Sequence, residues 1–259
     1  MITAAIPTYN EGKNIRGCIE SIISIKSITE IFIIDSFSTD ETIKLANDYV
    51  LTLNPPMRLN VISKNLNITG KRKLALSESA NDWILFIDAD ERVTSELQNE
   101  INALAFNDDV TGYNINRRNF YFGKWIKHCG IYPDHHLRLF NKNKARITER
   151  VIHEGVVVTG KTVTLQNDLL HYSVNDMGQM IDKINFYSTY EAQEHFNNKK
   201  QISKFGVFTH ALSAFLRVFI SRKGYKDGLP GFYVSVMDSV VNFMTHLKLL
   251  TLRAKQSNL

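Results

Sequence analysis

The 259-residue chain has little cysteine: Cys18 and Cys129 are the only two. They show no metal-type spacing and allow one disulfide at most, so two buried or free thiols in a reducing compartment are the expectation. The start, Met1 to Pro7, lacks a basic n-region and a long apolar h-region, and does not read as a signal peptide. No uninterrupted run of about 20 apolar residues occurs. The two most apolar stretches, 205–220 and 232–252, are interrupted by His210, Arg217, Asp238, His246 and Lys248. There is no internal repeat and no low-complexity linker. An RNP, zinc-finger or helix-turn-helix signature is also missing, which argues against a nucleic-acid partner.

What is present bounds the chain differently. Apolar residues make up 44%, enough for a packed core. The length suits one large α/β domain, or a domain with an appendage. Net charge is +5, unevenly placed: residues 199–259 carry +8, which leaves −3 for residues 1–198. A basic tail on an acidic body points to an anionic partner for the tail.

The first half alternates strand and helix signals. Ile2–Ile6, Glu30–Asp35, Leu59–Ser63 and Trp83–Ile87 are apolar, β-branched-rich runs of buried-strand type. Between them, Ile15, Ile19, Ile22 and Ile23 recur at helical spacing, and Ile43–Tyr49 and Lys71–Ser79 read as helices. Ser95 is placed to cap a further helix running to about Phe106. Strands separated by helices predict a mostly parallel sheet flanked by helices, with ligands gathering beyond the carboxyl ends of the strands. The polar loops after Ile6, Ile34 and Ile87 would share that edge. Residues 111–175 are expected to hold further strands at Tyr113–Arg117, Leu137–Phe140 and Val156–Val158. From about Gln179 the pattern turns helical, giving a C-terminal extension over 176–259.

Three polar segments on the predicted edge carry chemistry. Asp88 and Asp90 follow the WILFI strand two residues apart. One can ligate a divalent cation and the other a ribose or ordered water; hard oxygen ligands suit Mg²⁺ or Mn²⁺ shared with substrate phosphates. Asp35 ends the second strand, where it can accept hydrogen bonds from a base or ribose, while Asp40 is suited to capping the helix that follows. Pro7-Thr8-Tyr9-Asn10-Glu11 offers backbone amides, a hydroxyl and a carboxylate at the first strand end.

The series PTYNE, DSFSTDET and FIDADER, in that order, resembles the family-2 glycosyltransferases of the GT-A fold. Later stretches are similar to the bacterial branch that includes lipopolysaccharide inner-core β-glucosyltransferases: GIYPD at 130–134, RLF at 138–140, VIHE at 151–154, LLHY at 169–172 and Asp227-Gly228. The resemblance implies a GT-A catalytic domain over 1–175, with a donor-binding half (1–110) and an acceptor half (111–175). It implies that Thr8, Asn10 and Glu11 line the nucleotide and Asp35 holds the base or ribose. Lys73 would approach the nucleotide, although Asn is the residue expected there. Asp88 would sit near the ribose and Asp90 on the metal, with His171 completing the metal site. Arg138 is a candidate for the diphosphate, where a guanidinium can bind two oxygens.

Inversion at the sugar needs a base for the acceptor hydroxyl. Glu154 is the first candidate and Asp134 the second; the plain structural alternative for Glu154 is an ion pair with Arg150 or Arg138. His128, His135 and His136 lack H-E-x-x-H spacing and read as acceptor-loop or surface residues. The implied function is transfer of a sugar from a nucleotide-diphosphate sugar, UDP-hexose first, to a glycan or glycolipid acceptor. The alternative is a nucleotidyltransferase acting on sugar phosphates, against which the loop after the first strand lacks a Gly-rich, Arg- and Lys-containing character. Residues 199–259 are expected to make peripheral contact with an anionic membrane, and the enzyme to be cytoplasmic, at the inner face of the membrane.

Overall fold

The computed structural model describes residues 1–54, 57–106, 109–148 and 155–257. In chain order the first elements are β1 (Ile2–Thr8), α1 (Ile15–Ile22), β2 (Ile28–Asp35), α2 (Thr42–Leu51), β3 (Arg58–Ser63), α3 (Ile68–Glu78) and β4 (Trp83–Phe86). Next come β5 (Glu91–Val93), α4 (Ser95–Asn102), β6 (Gly112–Tyr121), β7 (Lys124–Trp125), β8 (His135–Asn141), β9 (Ala145–Thr148), β10 (Gly155–Val158), β11 (Thr162–Thr164) and β12 (Leu169–Val174). The chain ends in α5 (Met177–Asn197), α6 (Lys204–Leu216) and α7 (Leu229–Ser257).

The chain forms two compact units. One comprises Met1–Arg117 and Asp134–His171; the other comprises Arg118–Pro133 and Tyr172–Leu259. The loop 118–133, assigned from sequence to the stretch 111–175, thus groups with the C-terminal helices.

In the first unit β3, β2, β1 and β4 are parallel neighbours, and β8 then runs antiparallel to β4. β1, β2 and β4 are almost wholly buried because their runs are apolar on both faces. The pleat separates these residues into two cores. Ala4, Ile6, Ile31, Ile33, Leu85 and Ile87 join Ile15, Ile19 and Ile22 of α1, Ala46 of α2 and Leu97 of α4 on one face. Ala5, Phe32, Ile34, Ile84 and Phe86 meet Ala75 of α3 and Phe140 of β8 on the other. One strand residue in two faces each way, so both faces must be covered, and the helices do so.

Register fixes the functional edge. Thr8 lies beside Asp35 at the ends of β1 and β2, and the Ile87 amide donates to the Ala5 carbonyl just past β4. Three polar loops therefore leave the sheet side by side. One boundary differs from the sequence reading: Thr94 caps α4, accepting from the Leu97 amide at 3.2 Å, and Ser95 is the first helical residue. The helix also ends earlier, at Asn102. Both cysteines are free and buried.

In the second unit α7 packs along both α5 and α6. Asp176 and Ser203 cap α5 and α6, accepting from the Gln179 and Gly206 amides at 2.9 Å. Buried Asp227 ties the loop 124–133 to the helices: its carboxylate accepts from the His128 amide at 2.8 Å and meets His128 Nδ1 at 2.9 Å. Its carbonyl accepts from Lys124 Nζ at 2.8 Å. No helix among the described residues is long and apolar enough to cross a membrane.

Candidate active site

The loops after β1 and β2 are stitched together through side chains. Asn10, in the left-handed region at φ 55°, donates its amide to Ser38 Oγ and accepts from the Thr39 amide at 2.8 Å. Asn tolerates that conformation better than most residues because its short side chain bonds locally. Asp40 accepts from the amides of Gly12 (2.9 Å) and Thr42 (3.0 Å), so it closes both the turn before α2 and the first loop. A Cβ at Gly12 would lie 2.9 Å from Asp40 Oδ2, which explains the glycine.

Asp35 is buried at this edge. Thr8 Oγ1 donates to it at 3.0 Å and the Ser38 amide at 2.8 Å, so its carboxylate is oriented before any ligand arrives. Glu11 accepts from Asn14 Nδ2 at 2.8 Å and its amide donates to Thr42 Oγ1. Burial raises the Glu11 carboxyl above its usual range, with the nearby Asp90, Asp88 and Asp40 adding to the rise against the Asn14 bond.

A buried cation, Lys71, also reaches this edge. Its side chain is buried and donates to the Thr8 carbonyl at 2.8 Å. Burial lowers its pKa, opposed by Asp35, Asp88 and Glu11. Lys73 lies two residues further on the exposed face of α3. An α-helix turns about 200° over two residues, so the two lysines cannot face the same way.

Beyond β4 the acidic segment enters a charged network. Arg138, buried on β8, donates through Nη2 to Asp88 at 2.8 Å and also to Glu91. Glu91 is fully buried, accepts from the Asp88 amide at 2.9 Å, and faces Arg117 Nη1 at 3.5 Å. Arg117 also clamps Asp134, through Nε at 2.9 Å and Nη2 at 2.8 Å, and His136 Nε2 meets the other Asp134 oxygen at 2.8 Å.

The electrostatics follow from these contacts. Burial alone would raise the Asp88 carboxyl, but the Arg138 ion pair, helped by Arg117 and His171, holds it down to about 2. Burial raises Glu91 against the pull of Arg138, with Asp88 contributing to the rise. The Asp134 bond favours the charged form of His136, but burial and the neighbouring Arg117 and Arg138 outweigh it and lower its pKa.

His171 reaches the site by strand pairing. β12 runs antiparallel to β5 with His171 opposite Glu91, which brings its Nε2 to 3.3 Å from Asp90 Oδ2. Next to Asp88 a cleft of about 400 Å³ opens, lined by Arg72, Arg117, Arg138, His136 and Phe86. Arg72 also stacks its guanidinium 5.6 Å from the Phe86 ring. Three guanidinium groups thus border the cleft, two of them, Arg117 and Arg138, already paired with Asp134, Asp88 and Glu91, and such groups suit an anionic ligand.

Of the residues named from sequence, Thr8, Asn10, Glu11 and Asp35 gather on the β1–β2 edge, and Asp88, Arg138 and Asp134 share one network. Asp90 pairs with His171. Glu154, the first candidate base, lies outside the described residues. Sequence reasoning missed Lys71 and Glu91. A run of three adjacent cations hid the first, and the second stood beside a more conspicuous acidic pair.

The comparisons with known proteins agree with this geometry. Residues 3–160 match the model of Glycosyl transferase family 2. An uncharacterized glycosyltransferase of Rickettsia prowazekii is 31% identical over 99% of this chain and 89% of its own length. The lipopolysaccharide core biosynthesis glycosyltransferase LpsC of Rhizobium meliloti is 29% identical over 96% of this chain and 91% of its own. In fold, the chain is similar to a mannosyltransferase from Pyrobaculum calidifontis solved with GDP-Man and Mn²⁺: TM-score 0.56, 13% identity, covering 96% of this chain and 86% of that one. The parallel edge, the acidic segment beyond β4 and these likenesses lead to one conclusion: the chain is a GT-A-fold glycosyltransferase and belongs to glycosyl transferase family 2.

Proposed function

We propose that the enzyme is an inverting, metal-dependent transferase that moves a hexosyl group from a nucleotide-diphosphate sugar, UDP-hexose first, to a cell-surface glycan such as lipopolysaccharide core or a lipid-linked saccharide. The observation that carries this reading is the convergence of Asp35, Lys71, Asp88 and Asp90 at adjacent strand ends beside an arginine-lined cleft. Family membership displaces the nucleotidyltransferase alternative.

The contacts support a role for each residue. Asp35, oriented by Thr8 and Ser38, accepts from the ribose or base. Lys71 balances carboxylates on that edge. Asp88, kept ionised by Arg138, stays available as an acceptor toward the ribose, and the arginine cleft receives the diphosphate.

A divalent cation fits the donor set. Asp90 and His171 place a carboxylate oxygen and an imidazole nitrogen together. Among the described residues no group of three His, Cys, Asp or Glu side chains is placed to hold a metal. Mn²⁺ or Mg²⁺ commonly takes one or two protein ligands and completes its shell with substrate phosphates and water. When bound, such an ion neutralises charge on the departing diphosphate.

Glu154 is the base in this reading. It removes the proton of the acceptor hydroxyl as that oxygen bonds to the anomeric carbon and the bond to the diphosphate breaks on the opposite side. Asp134 is the second choice, because its carboxylate is already committed to Arg117 and His136. A lipid-linked acceptor fits an enzyme of the cytoplasm that works at the inner face of the membrane. The test is hydrolysis of UDP-, GDP- and TDP-sugars with Mn²⁺ present: selective turnover of one UDP-hexose is expected, and turnover of none of them contradicts the reading.

A further inference from the structure

Helix α6 carries its apolar side chains in an unusual arrangement. Its small ones, Val207, Ala211 and Ala214, with Val218 just beyond, are buried against the helical unit. Four of its large ones face away: Phe205 is 76% exposed, Phe208 63%, Leu212 60% and Leu216 43%, and Ile220, just beyond the helix, is 58% exposed. At about 100° per residue the four on α6 fall within an arc of roughly 80°, on the side away from the buried set. The stripe is about 22 Å long. With roughly 200 Å² for each large side chain, it exposes on the order of 500 Å² of apolar surface, as large as the largest patches on ordinary monomers.

The platform broadens past α6. Phe215 and Phe219 pack edge-on against Phe232, with ring centroids 6.0 Å apart in each pair, and Phe219 meets Tyr225 at 6.2 Å. Tyr225, Leu229 and Phe232 are themselves exposed.

Charge selects the occupant. Between Glu194 and Asp227 there is no acidic residue, and the same interval carries Lys199, Lys200, Lys204, Arg217, Arg222, Lys223 and Lys226. Lys204 opens α6 beside Phe205, while Arg222, Lys223 and Lys226 follow Ile220, and all four are exposed. Arg217 pairs with Asp238 at 3.0 Å. An apolar stripe with exposed cations at both ends suits a surface that is apolar inside and anionic at its skin. Since no helix among the described residues can span a bilayer, such a helix would lie on one.

We propose that this face docks the enzyme on an anionic membrane. Phe205, Phe208, Leu212, Leu216 and Ile220 enter the acyl boundary, and Lys204, Arg222, Lys223 and Lys226 meet the lipid phosphates. The assignment deepens the lipid-linked acceptor reading, and its evidence is independent of the donor site.

The experiment is co-sedimentation of the full-length protein with phosphatidylcholine vesicles, with and without phosphatidylglycerol. Binding to the anionic vesicles is expected, weakened by salt. Phe208→Asp with Leu212→Asp should lower partitioning at least about tenfold. Lys223→Ser with Lys226→Ser, a milder pair of surface changes, should remove most of the preference for anionic lipid. Donor hydrolysis and thermal unfolding of each variant report the fold and the donor site separately. Donor hydrolysis kept while vesicle binding is lost supports the assignment. Anionic-vesicle binding that is absent in the wild type, or unchanged in both folded variants, overturns it. So does a dimer that the Asp variant converts to monomer without any vesicle binding. A wild-type protein that binds vesicles but hydrolyses no donor would count against the transferase mechanism alone.

Discussion

Arg138→Met removes the cation at the centre of the charged network while keeping a side chain of similar length. Arg138 bridges Asp88 and Glu91, and Glu91 is fully buried. After the substitution Glu91 keeps the Asp88 amide and Arg117, the latter at 3.5 Å. Removing one partner of a buried ion pair costs about 3–5 kcal/mol, because the remaining charge stays desolvated. Glu91 can escape by taking a proton, and its pKa is already raised by burial. The sign of the pH dependence follows. A carboxyl whose folded pKa lies above its unfolded value favours the fold at low pH and loses that contribution as pH rises through the folded pKa. The variant's deficit relative to wild type should therefore grow between pH 5.5 and pH 8. Urea denaturation of both proteins at each pH measures it, and adding Glu91→Gln to the variant should recover a substantial part. A deficit below about 1 kcal/mol at pH 8, or one independent of pH, would refute the reasoning.

Three other outcomes are expected. Lys71→Met should weaken nucleotide-sugar binding by about tenfold or more, since it removes the buried ammonium that offsets Asp35, Asp88 and Glu11 on the donor edge; calorimetry with the donor checks it. Glu154→Gln should keep donor binding and lose on the order of 10²–10⁴ in transfer, and loss with Asp134→Asn instead would move the base to Asp134. His246 is buried on α7, and burial with Lys200 and His210 nearby pushes its pKa down to about 4 against the pull of the Asn242 backbone. A histidine so lowered takes up its proton in the unfolded chain first, so stability falls as pH drops from about 6.5 to 4, by up to about 1.4 kcal/mol per pH unit. His246→Leu should flatten that slope in acid denaturation curves.

Much of the donor edge was legible in the sequence because it depends on local pattern. EIFIID and WILFI are continuous apolar runs, which only strands covered on both faces accommodate, and the polar loops after them had to emerge at one edge. What the sequence did not reveal rests on long-range pairing. His171 meets Asp90 because β12 pairs with β5, two strands separated by some 75 residues of chain. Glu91 gains its arginines from β6 and β8, whose registers no spacing rule specifies. The choice between Lys71 and Lys73 turned on the rotation of α3, which three adjacent cations leave undetermined. On α6, helical spacing alone would place Phe219 beside Phe205, Phe208, Leu212 and Leu216, with Phe215 at their margin. The structure turns those two toward Phe232 and sends Ile220 outward instead, where the helix widens into a π-turn over Arg217–Ser221.

The central claim is that the carboxylate beyond β4, Asp90 with His171, organises the nucleotide-sugar site through a divalent ion. Calorimetric titration of UDP-hexose into the wild type and Asp90→Ala, with Mn²⁺ and with EDTA, tests it most directly. The account predicts tight binding only for the wild type with Mn²⁺, with the variant matching the EDTA-treated wild type and both proteins unfolding alike. Mn²⁺-dependent binding that survives in Asp90→Ala would contradict it.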